Sequence, residues 1–369
     1  MAIAKGLTSI LGIGAQASWT ATGVDATDKI PFISEGIDWS PTHVESEMLV
    51  GARAKMGGKI VHLPVGGSIE TEVHYDSKQS TNFLGLDMLW GMTCGDKGSY
   101  STSNIFQPAD DFKTDVPYMT IAAIVGGIVK EIPNACVNSA SISGSSGGIV
   151  TASFDIIGRA MALGDTSGVS GIGGFNPANT VAELQALYDS GEFDATHSNP
   201  ATFNDVSFYL ADTANVFANS DLFSISDFTI NINNNLSGAE QATVLNSGHT
   251  NEFWNIEPER NGAREVTVDF TLPRFDSDTL LAWRDNQTDL MVRFTLYKSG
   301  TENIIFSFPS LRLTSVDSPV GGSGLLTQSC SAKAYIPEHS MLKFYTQNSV
   351  TVNREFGIET ENERTATPW

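Results

Sequence analysis

Two alternating segments, far apart in the chain, constrain the fold more than anything else in the sequence. Between Ser68 and Asp76, Ile69, Val73 and Tyr75 fall on one face, with Glu70, Glu72 and His74 on the other. Near residue 268 the pattern is cleaner: Val266, Val268, Phe270 and Leu272 alternate with Thr267, Asp269 and Thr271. Period-two patterning marks a strand with one buried face. Each segment runs into a short apolar stretch of helical character, Phe83-Leu84-Gly85-Leu86 in the first and Leu280-Leu281-Ala282-Trp283 in the second. The two blocks align without a gap, Val266 standing 197 residues after Ile69 and Leu280 the same distance after Phe83.

A second pair of blocks repeats at a spacing of 176 residues, matching Pro133 with Pro309, Ser139 with Ser315, Gly148 with Gly324, Thr151 with Thr327 and Ser153 with Ser329. The shorter spacing implies an extra loop in the first copy, placed in the Gly-, Ser-, Asp- and Thr-rich stretch from Gly91 to Pro117, where insertions cost little. The expected organisation is an arm over 1–29, a β-domain over 30–163, a linker over 164–222, a second β-domain over 223–340 and an extension over 341–369. Each domain is expected to be mainly β, a barrel or sandwich with one short helix. In the linker, Val181, Leu184, Leu187 and Tyr188 are spaced as on one helix face, and Thr180 with Glu183 fits a capping box. The last residues, Glu359 to Trp369, read as a polar, flexible tail.

Composition narrows the function. With 42 acidic side chains against 21 Lys plus Arg, the chain carries a net charge of −21. A protein that grips nucleic acid needs cations to neutralise phosphates, so this one is expected to repel DNA, as suits a surface past which DNA slides. The three cysteines, Cys94, Cys136 and Cys330, form no C-x-x-C pair and read as buried thiols. An apolar run from Leu7 to Ala15, ending in Ala15-Gln16-Ala17, has the outline of a secretory leader, but Thr8, Ser9, Gly12 and Gly14 interrupt it. No stretch approaches the ~20 apolar residues of a membrane helix, and no membrane insertion is expected.

Catalytic motifs are present only in outline. Gly12-Ile13-Gly14-Ala15-Gln16-Ala17 matches a relaxed dinucleotide fingerprint, but no helical sequence follows it. Gly144-Ser145-Ser146-Gly147-Gly148 fits the G-x-S-x-G pattern of serine hydrolases, yet it joins two strand-like segments and reads as a turn. His62 and His74 would serve as metal ligands only if they met across a hairpin, and the histidines show no H-x-x-x-H pair. No cofactor, metal site or enzymatic activity is expected. Trp39, Trp90, Trp254 and Trp283 leave open another reading, a secreted or surface two-domain β-sandwich that binds carbohydrate or protein.

The run Ile30-Pro31-Phe32-Ile33-Ser34-Glu35-Gly36-Ile37, then Glu45 to Arg53 with its Gly51-Ala52-Arg53, resembles bacteriophage tail tube proteins. So does the later block from Thr120-Ile121-Ala122 through Gly126-Gly127, Pro133 to Asn138 and Gly147 to Val150. The resemblance implies a virion tail subunit, assembled in the host cytoplasm, whose strands complete a β-barrel shared between subunits. Rings would stack into a tube with a DNA-ejection channel, touching DNA in passage without binding it. Partners would be further copies of itself, the tape-measure protein and other tail proteins. A chain with two such domains would reach a pseudo-sixfold ring as a trimer, though a hexamer, or a hub or terminator subunit of the same fold, stays open. The long loop Glu45–Gly58, with Met48, Leu49, Val50, Arg53 and Met56, and its counterpart carrying Phe253 and Trp254, is expected to dock on the next ring.

Overall fold

The computed structural model describes residues 10–16, 18–19, 23–39, 42–45, 58–62, 64–75, 85–96, 98–100, 103–109, 118–164, 177–189, 200–212, 217–237, 255, 257–275, 278–299, 302–318, 326–338, 342–347 and 349–361. The longer strands are β1 (Ile10–Gln16), β2 (Val65–Glu72), β3 (Tyr118–Val125), β4 (Ile128–Ser145), β5 (Thr151–Gly158), β6 (Val206–Ala211), β7 (Asp227–Asn233), β8 (Glu265–Leu272), β9 (Leu290–Ser299), β10 (Glu302–Asp317), β11 (Gln328–Ala334) and β12 (Gly357–Glu361). Three α-helices accompany them among the described residues, α1 (Leu86–Cys94), α2 (Val181–Asp189) and α3 (Thr279–Asp285). The chain is mainly β, and all twelve strands belong to one antiparallel hydrogen-bonded sheet.

The alternation read in the sequence is the alternation of burial. Ile69 and Val73 are fully buried, as are Val268 and, within a few per cent, Val266, Phe270 and Leu272. β7 follows the same rule, with Phe228, Ile230 and Ile232 inward.

Sheet register in the two halves coincides. In the first half β5 lies between β4 and β2, and in the second half β11 lies between β10 and β8. Ala135 faces Gly158 and Ser139 faces Asp155; Leu311 faces Ala334 and Ser315 faces Ser331, each 176 residues later. The register breaks at matching places too, between Val137 and Ser139 and between Leu313 and Ser315. A second irregularity sits in the β3–β4 hairpin, between the pairs Ile121↔Ile132 and Met119↔Ala135, and its match lies between Val292↔Phe308 and Leu290↔Leu311. Pro133 and Pro309 occupy these bulges, where a missing N–H removes no ladder bond.

The pairing shifts one alignment. Gly66 and Thr71 face Ile157 and Ala152, while Thr267 and Leu272 face Lys333 and Gln328, so β2 and β8 correspond at a spacing of 201 rather than 197. A slip of four keeps every side chain on its face, so alternation does not distinguish the two.

Three further expectations are modified. The first helix starts at Leu86 and runs to Cys94; Phe83 and Leu84 lie outside the described residues. Gly85 opens it because the backbone there passes so close to Ile13 that a Cβ would come within 2.6 Å of its side chain. The stretch Gly91 to Pro117 is not only loop: Asn104–Phe106 pairs with β12. Glu359, expected in a flexible tail, is wholly buried within β12, which is hydrogen-bonded to β10 on one edge and Asn104–Phe106 on the other. The linker helix forms with its capping box, Glu183 N–H donating to Thr180 Oγ1 at 3.1 Å and Thr180 N–H to Glu183 Oε2 at 2.8 Å. Leu184 seats α2 against Ala122, Ile124 and Val129.

Candidate assembly interface

The two halves are joined by strand pairing. Residues Ser139–Ser145 of β4 pair antiparallel with β7, Ser139 facing Asn233 and Ser145 facing Asp227. Ser146 N–H donates to the Ser226 carbonyl at 2.8 Å, and Asn234 N–H to the Asn138 carbonyl at 2.9 Å, so even-numbered residues of β4 carry the bonds of this seam. Between them Ser141 Oγ donates to Asn231 Oδ1 at 2.8 Å. Every backbone group along this length of both strands therefore has a partner.

The matching edges at the other ends of the sheet have no strand partner among the described residues. β10 pairs with β9 only as far as Leu311, and Arg312–Asp317 have no strand on that edge among the described residues; of these, Ser315–Asp317 correspond to the seam residues Ser139–Ser141 of β4. The counterpart of β7 in the first half is a split strand, Ser34–Glu35 and Asp38–Trp39, which pairs with β2 on one side only. Ser34 faces Glu70 as Asp227 faces Thr271, a spacing of 193 residues that puts Asp38 in the place of Asn231 and Trp39 in that of Ile232.

Side chains of the chain itself cover these edges. Gly36 N–H bonds the Ser68 carbonyl, which turns the backbone N–H groups of Ile37 and Trp39 towards the open edge. Ile37 N–H donates to Glu35 Oε1 at 2.8 Å, and Trp39 N–H donates to Asp38 Oδ1 at 2.8 Å. Glu35 is itself held by Lys130 Nζ at 2.8 Å. On the opposite edge Arg284, from α3, donates to the Val316 carbonyl at 3.4 Å. Unpaired strand edges template association with other chains unless they are covered or charged; here the covers are single, removable side chains.

A separate two-stranded ribbon pairs Thr42–Glu45 with Gly58–His62, and Val44 on it is 54% exposed. It carries the loop expected to dock on a neighbouring ring. Met48, Leu49, Val50, Arg53 and Met56 lie outside the described residues, as do Phe253 and Trp254. In the second half the Leu236–Arg260 bridge marks the matching position.

The motifs that suggested chemistry have structural roles. Gly12 and Gly14 lie inside β1, which pairs with β3 along its whole length, so no phosphate-binding turn exists there. Gly144 to Gly148 is the turn after β4, closed by Gly148 N–H to the Ser145 carbonyl at 2.9 Å with Gly147 at φ 80°. His74 is buried and bridged to Pro200. Trp90 is core and Trp39 and Trp283 are half-buried against it. The described residues contain no group of three His, Cys, Asp or Glu placed to hold a metal. All three cysteines are buried free thiols, and burial pushes Cys330 up to about 12. One cleft, lined by Tyr209, Phe217, Tyr297 and Tyr345, has the Arg293 guanidinium at its base, 5.0 Å from the Phe217 ring centre.

Among the described residues no helix is long and apolar enough to cross a membrane. The fold is a large antiparallel β-sheet with two strand edges that only side chains cover among the described residues. The chain belongs to the phage tail tube protein family, whose sequence model matches residues 6–334. It is accordingly a structural protein of the virion tail. Among curated proteins, none matches it.

Proposed function

We propose that this chain polymerises into stacked rings that form the channel for DNA ejection, three chains to a ring. Each chain contributes two tail-tube-like domains, 30–163 and 223–340, that arose by tandem duplication. The observation that carries this reading is the seam between β4 and β7, with its equivalent edges at Ser34–Trp39 and Ser315–Asp317 covered only by side chains among the described residues. A chain whose halves meet in the β4–β7 seam, and whose outer edges repeat the two sides of that seam, satisfies those edges by adding further copies.

Charge supports the lumen role. At −21 per chain, a ring of any size presents DNA with a net repulsive field rather than a binding groove. The loop Glu45–Gly58, which joins the two strands of the ribbon, is the proposed stacking element, with Met48, Leu49, Val50, Arg53, Met56, Phe253 and Trp254 making the contacts. The tape-measure protein and other tail proteins are the proposed further partners, with assembly in the host cytoplasm.

Negative-stain electron microscopy of concentrated protein tests the proposal. Hollow filaments with threefold or pseudo-sixfold end views are the expected result. Single rings that never stack would move the chain to a hub or terminator position. A persistent monomer would overturn the tube reading in favour of a surface-binding module.

A further inference from the structure

The edge left open on β10 and the edge left open at Ser34–Trp39 are the two sides of the internal seam, presented at opposite ends of the sheet. We propose that the Ile37–Trp39 edge of one copy pairs antiparallel with the Val316–Ser318 edge of the next, with Val316 facing Trp39 and Asp317 facing Asp38. We further propose that this outer seam is braked by charge where the inner seam is not. The inference rests on the ring reading above and adds its register and its control.

The register comes from the chain's own geometry. In the inner seam Ala140 faces Ile232 and Ser141 faces Asn231. β4 corresponds to β10 at a spacing of 176, fixed by six residue pairs with β5 and β11 and by two bulges. β7 corresponds to the split strand at a spacing of 193, fixed by four pairs with β2 and β8. Applying both converts Ala140↔Ile232 into Val316↔Trp39 and Ser141↔Asn231 into Asp317↔Asp38. The outward backbone groups agree: the Ile37 and Trp39 N–H groups and the Val316 carbonyl point to the open edges, where they bond side chains instead of a strand.

Chemistry then separates the two seams. The inner seam carries a neutral hydrogen bond, Ser141 to Asn231 at 2.8 Å, and Phe228 stands where the open edge has Glu35. The outer seam would set two exposed carboxylates, Asp38 and Asp317, directly opposite one another, and like charges in that position oppose pairing. Glu35, Asp38 and Arg284 must also release the backbone groups they occupy before a strand can replace them. The inner seam forms once, during folding, with no such obstacle. The outer seam is therefore slower and weaker in isolated subunits, which keeps edges apart until many copies or a template bring them together.

Two variants test this with the full chain. Asp38→Cys with Asp317→Cys places thiols at exposed positions opposite each other across the outer seam, within disulfide reach. Mild oxidation is expected to give a ladder of covalent species ending at the ring. Moving the second cysteine to Thr314, three residues off register, is expected to abolish it. Asp38→Asn with Asp317→Ser copies the inner pair into the outer seam. It is expected to lower the half-assembly concentration in sedimentation velocity by about fivefold or more. Protection of the Ile37 and Trp39 amides from hydrogen exchange on assembly would support the same register. Rings seen by microscopy without the 38–317 crosslink would overturn the register and leave the ring reading standing. Neither rings nor crosslinks at any concentration would overturn both. Crosslinking by the cysteine pair, together with unchanged assembly of the Asn–Ser variant, would overturn the brake.

Discussion

Trp90 of α1 stands edge-on to Phe306 of β10, ring centres 5.5 Å apart and planes at 82°, while its other side meets Phe154 of β5 at 5.0 Å. The helix belongs to the first half of the chain and β10 to the second, so this indole is shared by both. Fully buried, it ties the halves into one core. Trp90→Ala should cost about 3–5 kcal/mol. Urea denaturation should show a single transition moved to lower denaturant, because removing a shared residue weakens both halves together. Trp90→Phe should cost much less, since the indole N–H has no partner among the described residues.

Glu359 gathers donors from two distant parts of the chain. Ser103 Oγ donates at 2.8 Å, the Tyr345 and Thr346 backbone N–H groups at 2.7 and 3.1 Å, and Thr346 Oγ1 also bonds it. Removing a buried acceptor leaves each donor without water or partner. Glu359→Ala should destabilise by about 3–5 kcal/mol, and limited proteolysis should cut first near β12.

Much of this was legible in the chain, and its limits have physical causes. Alternation gave β2 and β8 and their buried faces, because the side-chain period of a strand is written directly into the sequence. It did not give their relative register, since a slip of four leaves the pattern unchanged; only pairing with β5 and β11 fixes it. In the sequence Pro133 and Pro309 stand only as a repeated pair; the bulges they occupy come from the pairing, although a proline in a central strand has few other places to sit. β12 was missed: Gly357-Ile358-Glu359-Thr360-Glu361 reads as polar because its carboxylate is buried against partners distant in sequence. The open edges were missed for a related reason. Glu35, Asp38 and Asp317 look like ordinary surface acids until the pairing shows which backbone groups they stand beside. The spacing of 193, which sets Asp38 against Asn231, was the signal that would have found them.

Glu131 of β4 supplies a pH test. It is fully buried, accepts bonds from the Ala178 and Asn179 N–H groups at 3.0 and 2.9 Å and from Asn179 Nδ2 at 2.9 Å, and burial raises its pKa despite them. The folded chain therefore holds this proton at pH values where the unfolded chain, near 4.5, has lost it. Stability from this group is complete below that value and is lost as pH rises through the raised folded value. Urea midpoints of wild type and Glu131→Gln, taken from pH 4 upward, should differ by an amount that drifts against the wild type as pH rises. A gap that stays constant would show that the carboxyl titrates alike in both states.

The inner seam can be made to resemble the outer one. Ser141→Asp and Asn231→Asp place carboxylates where a hydrogen bond of 2.8 Å now stands, at positions facing each other across β4 and β7. Ser141→Asp removes the hydroxyl donor, at a cost of about 0.5–1.5 kcal/mol, whereas Asn231→Asp keeps an oxygen that the Ser141 hydroxyl still bonds. Together they add like-charge repulsion, so the double variant should lose more than the two singles combined, by up to about 1 kcal/mol. The excess should shrink in high salt, which screens part-exposed charges, and vanish below the carboxylate pKa. Additive losses that ignore salt and pH would mean that the two side chains turn away from each other in the seam, and that the pairing between Ser141 and Asn231 does not set the distance between them.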